Sequence, residues 1–506
     1  MKYRPLMILG AGSDVGKSIL VAALCRIFRQ EGIQVAPFKA QNMALNSFIT
    51  PEGGEMGRAQ VVQAQAAGLT PHVDMNPILL KPSSEIGCQV IVHGKVYGNL
   101  KARDYYEHKP KLVRQVMASY RRLAAAHELL ILEGAGSAVE LNLKPNDLVN
   151  FSMAKRVNAA VLLVADIDRG GVFAATIGTY HLLSRRERQL LQGFIINKFR
   201  GDISLFDSGV AIIEQRTRKR VLGVVPYIKD LLLPQEDSVA LERKMARNAS
   251  PAAGVLQIGV IRLPHISNYT DFDPLEQEPG VHVRYLDHHD GLEDVDLVIL
   301  PGTKNTIADL GYLHETGLAH RIKAFAQAGG GVVGICGGFQ ILGEEVLDPL
   351  GVEGPEPRAA GLGLLPVVTT MAGEKTTTQV TGRFLGLPSQ PPLQGYEIHM
   401  GVTEPTGEGR AVCQLDHGAG EADSSLDGWA TPDFRVWGTY VHGLFDSDIL
   451  RRTWLTALRQ EKGLTAGTPE QYTFAQVQEE QFDRLAAVVR QHLDLDFLRQ
   501  IIAPPV

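Results

Sequence analysis

Short apolar runs at residues 6–9, 129–132, 159–164, 194–196 and 221–225 are separated by stretches whose apolar positions recur at helical spacing. Short runs bounded by turn residues mark strands buried on both faces. Strands alternating with helices predict a mostly parallel sheet covered on both sides, because parallel neighbours need long crossovers and these are usually helical. A polar stretch at 243–254 breaks the pattern, and strand-like runs resume at 256–261, 297–300 and 332–335. Beyond residue 446 the pattern turns helical, with Phe482, Leu485, Val488, Val489 and Leu493 at helical spacing. The expected fold is α/β throughout: a parallel-sheet domain over 1–245, a linker at 246–254, a second α/β domain over 255–450 and a helical tail over 451–506.

Length agrees with this division, since 506 residues exceed the roughly 250–300 at which single cores stop growing. With 44% hydrophobic and 21% charged residues, the chain can fill packed cores and lacks the bias that keeps chains disordered. A formal net charge of -6 argues against a nucleic-acid or membrane-surface binder, while leaving room for local basic pockets. The four cysteines (Cys25, Cys88, Cys336 and Cys413) include no Cys-x-x-Cys pair, so neither a disulfide framework nor a zinc site is expected. The N-terminal apolar run ends in glycines without a cleavage pattern, and no stretch approaches ~18 uninterrupted apolar residues. These features predict a cytoplasmic protein.

The segment GAGSDVGKS, residues 10–18, lies between a strand-like run and a helix-like one. Glycines at Gly10, Gly12 and Gly16 let backbone N–H groups approach phosphate oxygens. The helix start adds partial positive charge, Lys17 neutralises terminal phosphates, and Ser18 is a magnesium ligand. The loop carries one residue more between Gly10 and Gly16 than the standard spacing, a variant that resembles the loop of dethiobiotin synthetase. Glu133 ends a strand at its carboxyl end, where open parallel sheets place their ligand crevice, and is a second candidate for magnesium. Asn197 follows the run at 194–196, and in relatives of this fold that position contacts the nucleotide base. The cofactors expected are therefore ATP and Mg2+.

The second constellation is GICGGFQ, residues 334–340. Glycine, any residue, nucleophile, any residue, glycine is the nucleophile-elbow pattern with cysteine in the reactive place. It exposes Cys336 and leaves the N–H of Gly337 free for an oxyanion. A thiol needs a base, and His442 in GTYVHG is the candidate. Gly302, in a loop after the run at 297–300, is the candidate for a second oxyanion N–H. Cys25 lies on an apolar helical stripe and reads as core, and Cys88 and Cys413 have no elbow.

Beyond these two motifs, PFKAQNMALNS (37–47), MNPILLKP (75–82), NKFRGD (197–202) and GYEIHMG (395–401) carry a resemblance over essentially the full length. The chain resembles the cobyric acid synthase family, the glutamine-hydrolysing ligases of cobalamin biosynthesis. The resemblance implies a dethiobiotin-synthetase-like P-loop domain joined to a class I glutamine amidotransferase domain of the cobyric/cobyrinic type. It also implies the substrates: glutamine, ATP and adenosylcobyrinic acid a,c-diamide, whose b, d, e and g carboxylates become amides. Most class I amidotransferases carry a glutamate two residues after the histidine; here that position is Leu444. The orienting acid is thus absent or comes from elsewhere, with Glu397 and Asp446 as guesses. Two rivals stand beside this reading: an a,c-diamide synthase acting earlier on the same ring, and a P-loop switch or partitioning ATPase, which would have no use for a nucleophilic cysteine. Oligomeric state is left open, a homo-oligomer included.

Overall fold

The computed structural model describes residues 1–82, 87–234, 236, 254–416, 424–464 and 472–504. Of the linker expected at 246–254, residues 246–253 lie outside them. Two compact units emerge, and the chain passes between them more than once. Unit 1 comprises Met1–Ala44, Gly54–Asp237 and Ala475–Val506; unit 2 comprises Leu45–Gly53 and Ser238–Phe474.

Unit 1 is built on strands β1 (Leu6–Gly10), β2 (Val35–Phe38), β3 (Leu129–Glu133), β4 (Ala160–Asp166), β5 (Leu191–Phe199) and β6 (Arg220–Pro226). They form one sheet in the order β6-β5-β4-β1-β3-β2, parallel at every pairing. All residues of β1 and β3 are buried, which is why those strands read as unbroken apolar runs. Helix α1 (Lys17–Gln30) follows β1 directly, and helix α2 (Arg58–Ala66) lies beside it. From β1 the chain moves to one side of the sheet, and from β3 it crosses to the other. The crevice for a ligand therefore opens at the carboxyl ends around β1. Strands Asn42–Met43, Ile78–Pro82, Gly87–Val92 and Lys95–Lys101 add a small second sheet.

The terminal helices Phe474–His492 and Leu495–Ile502 do not form a separate tail. Phe482, Leu485, Val489, Leu498 and Ile502 are buried in one cluster with Leu20, Leu24 and Phe28. At the border of that cluster Arg26 donates to Asp483 Oδ1 at 2.7 Å and to Glu479 Oε2 at 2.8 Å. The helix Asp448–Glu461, by contrast, buries Trp454 and Leu455 in the core of unit 2.

Unit 2 carries β7 (Leu256–Ile261), β8 (Val281–Leu286), β9 (Leu297–Leu300), β10 (Gly331–Ile335), helix α3 (Gly337–Leu342), the long strands β11 (Val367–Phe384) and β12 (Pro392–Pro405), and β13 (Val436–Thr439). The parallel sheet runs β8-β7-β9-β10-β13, with strand Trp429–Ala430 antiparallel at its edge. β11 and β12 pair antiparallel in another sheet. The two-residue strand Val441–His442 then joins that sheet by pairing with β12, opposing Tyr396 to His442. Because β7, β9, β10 and β13 run the same way, the segments that follow them all emerge along one edge. No helix among the described residues is long and apolar enough to cross a membrane.

Candidate active sites, one in each unit

In unit 1 the loop after β1 closes tightly. Gly16 has φ 93°, and a β-carbon there would stand 2.2 Å from Asn197 Nδ2, so conformation and space both require glycine. Lys17 opens α1, and its ammonium donates to the carbonyls of Gly12 at 3.2 Å and Gly136 at 3.1 Å. A β-carbon on Gly10 would come within 2.9 Å of that nitrogen.

Beside it sits Glu133, buried at 1% exposure. Ser18 Oγ donates to Glu133 Oε1 at 2.8 Å, and Lys39 Nζ donates to the same oxygen at 2.9 Å. Gln63 Nε2 donates to Oε2 at 2.5 Å, and Gln60 Nε2 reaches it at 3.4 Å. Burial opposes the charge on Glu133, but the Lys39 ammonium and the hydrogen bonds from Lys39, Gln63 and Ser18 prevail, holding its pKa below the usual carboxylate value. With their NH2 groups turned to that carboxylate, Gln60 and Gln63 leave their Oε1 atoms buried without a hydrogen-bond partner among the described residues.

Gly10, Gly12, Gly16, Lys17, Ser18, Glu133 and Asn197 thus come together around one loop. Asn197 lies under the loop, its amide donating to Val15 O at 2.9 Å, while the neighbouring Lys198 pairs with Asp166 at 2.9 Å. Sequence reasoning missed Lys39, Gln60 and Gln63. Lys39 had a signal, a lone cation directly after an apolar run, at the same end of the sheet as the phosphate loop.

In unit 2 the elbow is sterically determined. Cys336 follows β10 at φ 53°, ψ -109°, a region L-residues rarely occupy. A β-carbon on Gly334 would lie 2.6 Å from the Gly338 backbone, and one on Gly338 would lie 1.9 Å from Leu300 O. The turn folds back on itself and against β9, so larger residues have no place at either position. Cys336 N–H donates to Thr439 O at 2.8 Å, tying the elbow to β13.

His442 is 1% exposed and lies near enough to Cys336 for the sulfur to act on its charge, while the Cys336 thiol donates to Ile398 O at 3.6 Å. Its Nδ1 lies 2.7 Å from Asp271 Oδ2, and the other oxygen of that carboxylate accepts the Gly443 N–H at 3.1 Å. Burial penalises the imidazolium, but Asp271 and the Cys336 sulfur overcome the penalty and push the pKa up to about 10. The Tyr396 ring stacks on the imidazole, centroids 5.4 Å apart at 18°.

Gly302 and Gly337 are at the same place. A β-carbon on Gly302 would sit 3.0 Å from His442 Cε1, and one on Gly337 would sit 2.5 Å from Thr303 Cγ2. The guesses for the orienting acid are corrected: Asp271 holds the histidine, whereas Glu397 lies 3.7 Å from His399 and Asp446 donates its backbone N–H to Gly443 O at 3.0 Å. Asp271 had a topological signal only, lying in the segment that follows β7 on the edge shared with the elbow. Cys25 and Cys413 are fully buried, which raises the pKa of both thiols.

Residues 6–239 match the CobQ/CobB/MinD/ParA nucleotide binding domain, and residues 257–449 match the CobB/CobQ-like glutamine amidotransferase domain. The cobyric acid synthase of Syntrophobacter fumaroxidans is 52% identical over 508 residues, spanning 99% of each chain. That of Sorangium cellulosum is 48% identical over 98% of each chain. The enzyme of Pelotomaculum thermopropionicum is 49% identical over 99% of this chain and 97% of its own. With half its residues shared over nearly the full length of such relatives, and with both domains in the same order, the chain belongs to the cobyric acid synthase family.

Proposed function

We propose that this chain is a glutamine-hydrolysing, ATP-dependent amide ligase that converts the b, d, e and g carboxylates of adenosylcobyrinic acid a,c-diamide to amides, giving adenosylcobyric acid in cobalamin biosynthesis. The observation that carries the reading is the elbow at Cys336 facing a histidine held by Asp271, in the same chain as a phosphate loop. A nucleotide switch has no use for the first of these. Four free cysteines fit a reducing compartment, and we place the protein in the cytoplasm.

In unit 2, Cys336 Sγ attacks the glutamine side-chain carbonyl. The oxyanion that forms is met by the backbone N–H of Gly337, with Gly302 supplying the second donor. His442, charged beside Asp271, gives its proton to the departing nitrogen, which leaves as ammonia. The neutral ring then takes a proton from water, whose oxygen attacks the thioester; glutamate leaves, and the sulfur departs as thiolate beside the recharged ring, which restores the starting pair. Asp271 acts through Nδ1, fixing the tautomer and orientation of the ring.

In unit 1, Lys17 and the start of α1 receive the ATP phosphates. The residues present fit a magnesium ion. Ser18 Oγ and Glu133 Oε1 stand 2.8 Å apart, close to the ~2.9 Å between adjacent oxygens around an octahedral ion with ~2.1 Å bonds. The orphaned amide oxygens of Gln60 and Gln63 are further acceptors nearby. Such an ion would neutralise phosphate charge during transfer. Lys17 steadies the terminal phosphoryl group as it passes to a corrinoid carboxylate. Ammonia then displaces phosphate from the acyl phosphate, a step closed to the free carboxylate, which would merely form a salt.

Incubation with amide-nitrogen-labelled glutamine, Mg-ATP and the a,c-diamide should place label in corrinoid amides, with none when ATP is omitted. Labelling of cobyrinic acid but not of its a,c-diamide would favour the earlier-acting synthase. ATP hydrolysis without any corrinoid labelling would favour the switch.

A further inference from the structure

Asp427 ends the strand Ser424–Asp427 and is 7% exposed, a buried carboxylate outside the set formed by Cys336, His442 and Asp271. The chain turns closely after it. Gly428 has φ 74°, and a β-carbon there would stand 2.3 Å from Gly438 O, so only glycine brings Asp427 up to the end of β13. Both donors to its carboxylate lie on consecutive residues there. The Thr439 hydroxyl donates to Oδ2, and the Tyr440 N–H lies 3.3 Å from each oxygen. Thr439 Oγ1 in turn accepts the Val441 N–H at 3.1 Å. One carboxylate thus fixes three successive residues.

Those residues join the anchor of the nucleophile to the base. Thr439 O accepts the Cys336 N–H at 2.8 Å, which ties down the elbow, and Val441 leads directly into His442. Any displacement of the connection therefore alters how sulfur and imidazole meet. A buried charge whose bonded donors are neutral costs stability, so the charge on Asp427 points to a use beyond packing. Four titratable groups face it: Glu397 and His399 from β12, Cys413 from the strand paired beside it, and Tyr440 from the connection. Burial and the Glu397 charge oppose ionisation and outweigh the bonds from Thr439 and Tyr440 and the attraction of His399, so the pKa is pushed up to about 6.

We propose that Asp427 is a positioning residue for glutamine hydrolysis, its carboxylate holding the Thr439–Val441 connection so that Cys336 and His442 stay in register with each other. The proposal rests on the hydrolytic function given above and adds a group to that site. On protonation the carboxyl gives up an acceptor position on the connection. Hydrolysis is therefore full above the titration of Asp427 and falls below it.

The test is the ratio of glutamine-dependent to ammonia-dependent amidation by the full chain, at equal free ammonia, from about pH 5 to about pH 8. In the wild type this ratio should fall as pH drops through about 6. Asp427→Asn should lower the ratio at the alkaline end by about 10- to 100-fold and abolish the inflection. Two further variants should move the inflection in opposite directions. Glu397→Gln removes a like charge and shifts it below 6, whereas Thr439→Val removes a donor to the carboxylate and shifts it above 6. A merely structural role would lower the ratio at every pH and leave the inflection in place. The proposal is overturned by an Asp427→Asn chain that keeps the wild-type ratio or inflection, or by an inflection that the other two variants do not move apart. Should Asp427→Asn also lose its ammonia-dependent rate, as a misfolded chain does, the shifts in Glu397→Gln and Thr439→Val decide. Glutamate release that persists in Cys336→Ala would instead overturn the hydrolytic assignment beneath it.

Discussion

Asp271 does the work that a glutamate two residues after the histidine does in most class I amidotransferases. One oxygen takes the ring and the other takes the Gly443 N–H, so the carboxylate fixes both the side chain and its backbone. Asp271→Asn keeps the shape and loses the charge. Glutamine-dependent turnover is expected to fall by a factor of about 100 to 10,000, with ammonia-dependent amidation retained, as steady-state assays with either nitrogen source will read. The same substitution has a pH signature. His442 titrates near 10 in the fold against an ordinary 6.5. Its raised value contributes stability that is fully present below pH 6.5 and is lost as pH rises to 10. Urea unfolding across that window should show the wild type losing its advantage over Asp271→Asn as pH climbs. Cys336 was legible because an elbow is written in adjacent residues, and His442 because it ends a strand-like run. Asp271 stands 171 residues from the histidine it holds. Only the pairing of β7 with β9, and of β9 with β10, brings its segment to the elbow, and strand order is not written in local spacing.

At the scale of elements, the buried parallel strands were readable because burial on both faces leaves uninterrupted apolar runs. The small sheet spanning 42–101 was not, since its strands bury polar residues such as Lys81 and Gln89 among the apolar ones, and Lys95–Lys101 buries no residue at all. The terminal helices show the other limit. Their apolar face could be seen in the sequence, but a face does not name its partner, and this one packs against α1 at the opposite end of the chain. Phe482 is 1% exposed in that cluster, and Phe482→Ala is expected to destabilise unit 1 by about 3–5 kcal/mol. Denaturation followed with and without Mg-ATP will assign the shifted transition to the nucleotide-binding unit. An unchanged midpoint would mean that the helix is dispensable to that core. The anchoring of Arg26 by Glu479 and Asp483 is half exposed on the acidic side and should matter far less.

At the scale of the whole molecule, one chain holds a hydrolytic site that makes ammonia and a phosphate site that activates its acceptor. Their division of labour predicts separable defects. Lys17→Ala should abolish amidation from glutamine and from ammonia alike, because activation of the carboxylate precedes use of either nitrogen source. Cys336→Ala should abolish only the first. The order of the two domains was legible because each carries a compact motif, whereas the passage of residues 45–53 into the second unit left no sign in composition or periodicity. The most direct test is corrinoid mass after incubation of wild type and Cys336→Ala with adenosylcobyrinic acid a,c-diamide and Mg-ATP, given glutamine in one set and ammonium in the other. The expected result is stepwise amidation by the wild type in both sets and by Cys336→Ala with ammonium alone. Amidation by Cys336→Ala from glutamine, or no change of corrinoid mass in the wild type while ATP is consumed, would contradict the account.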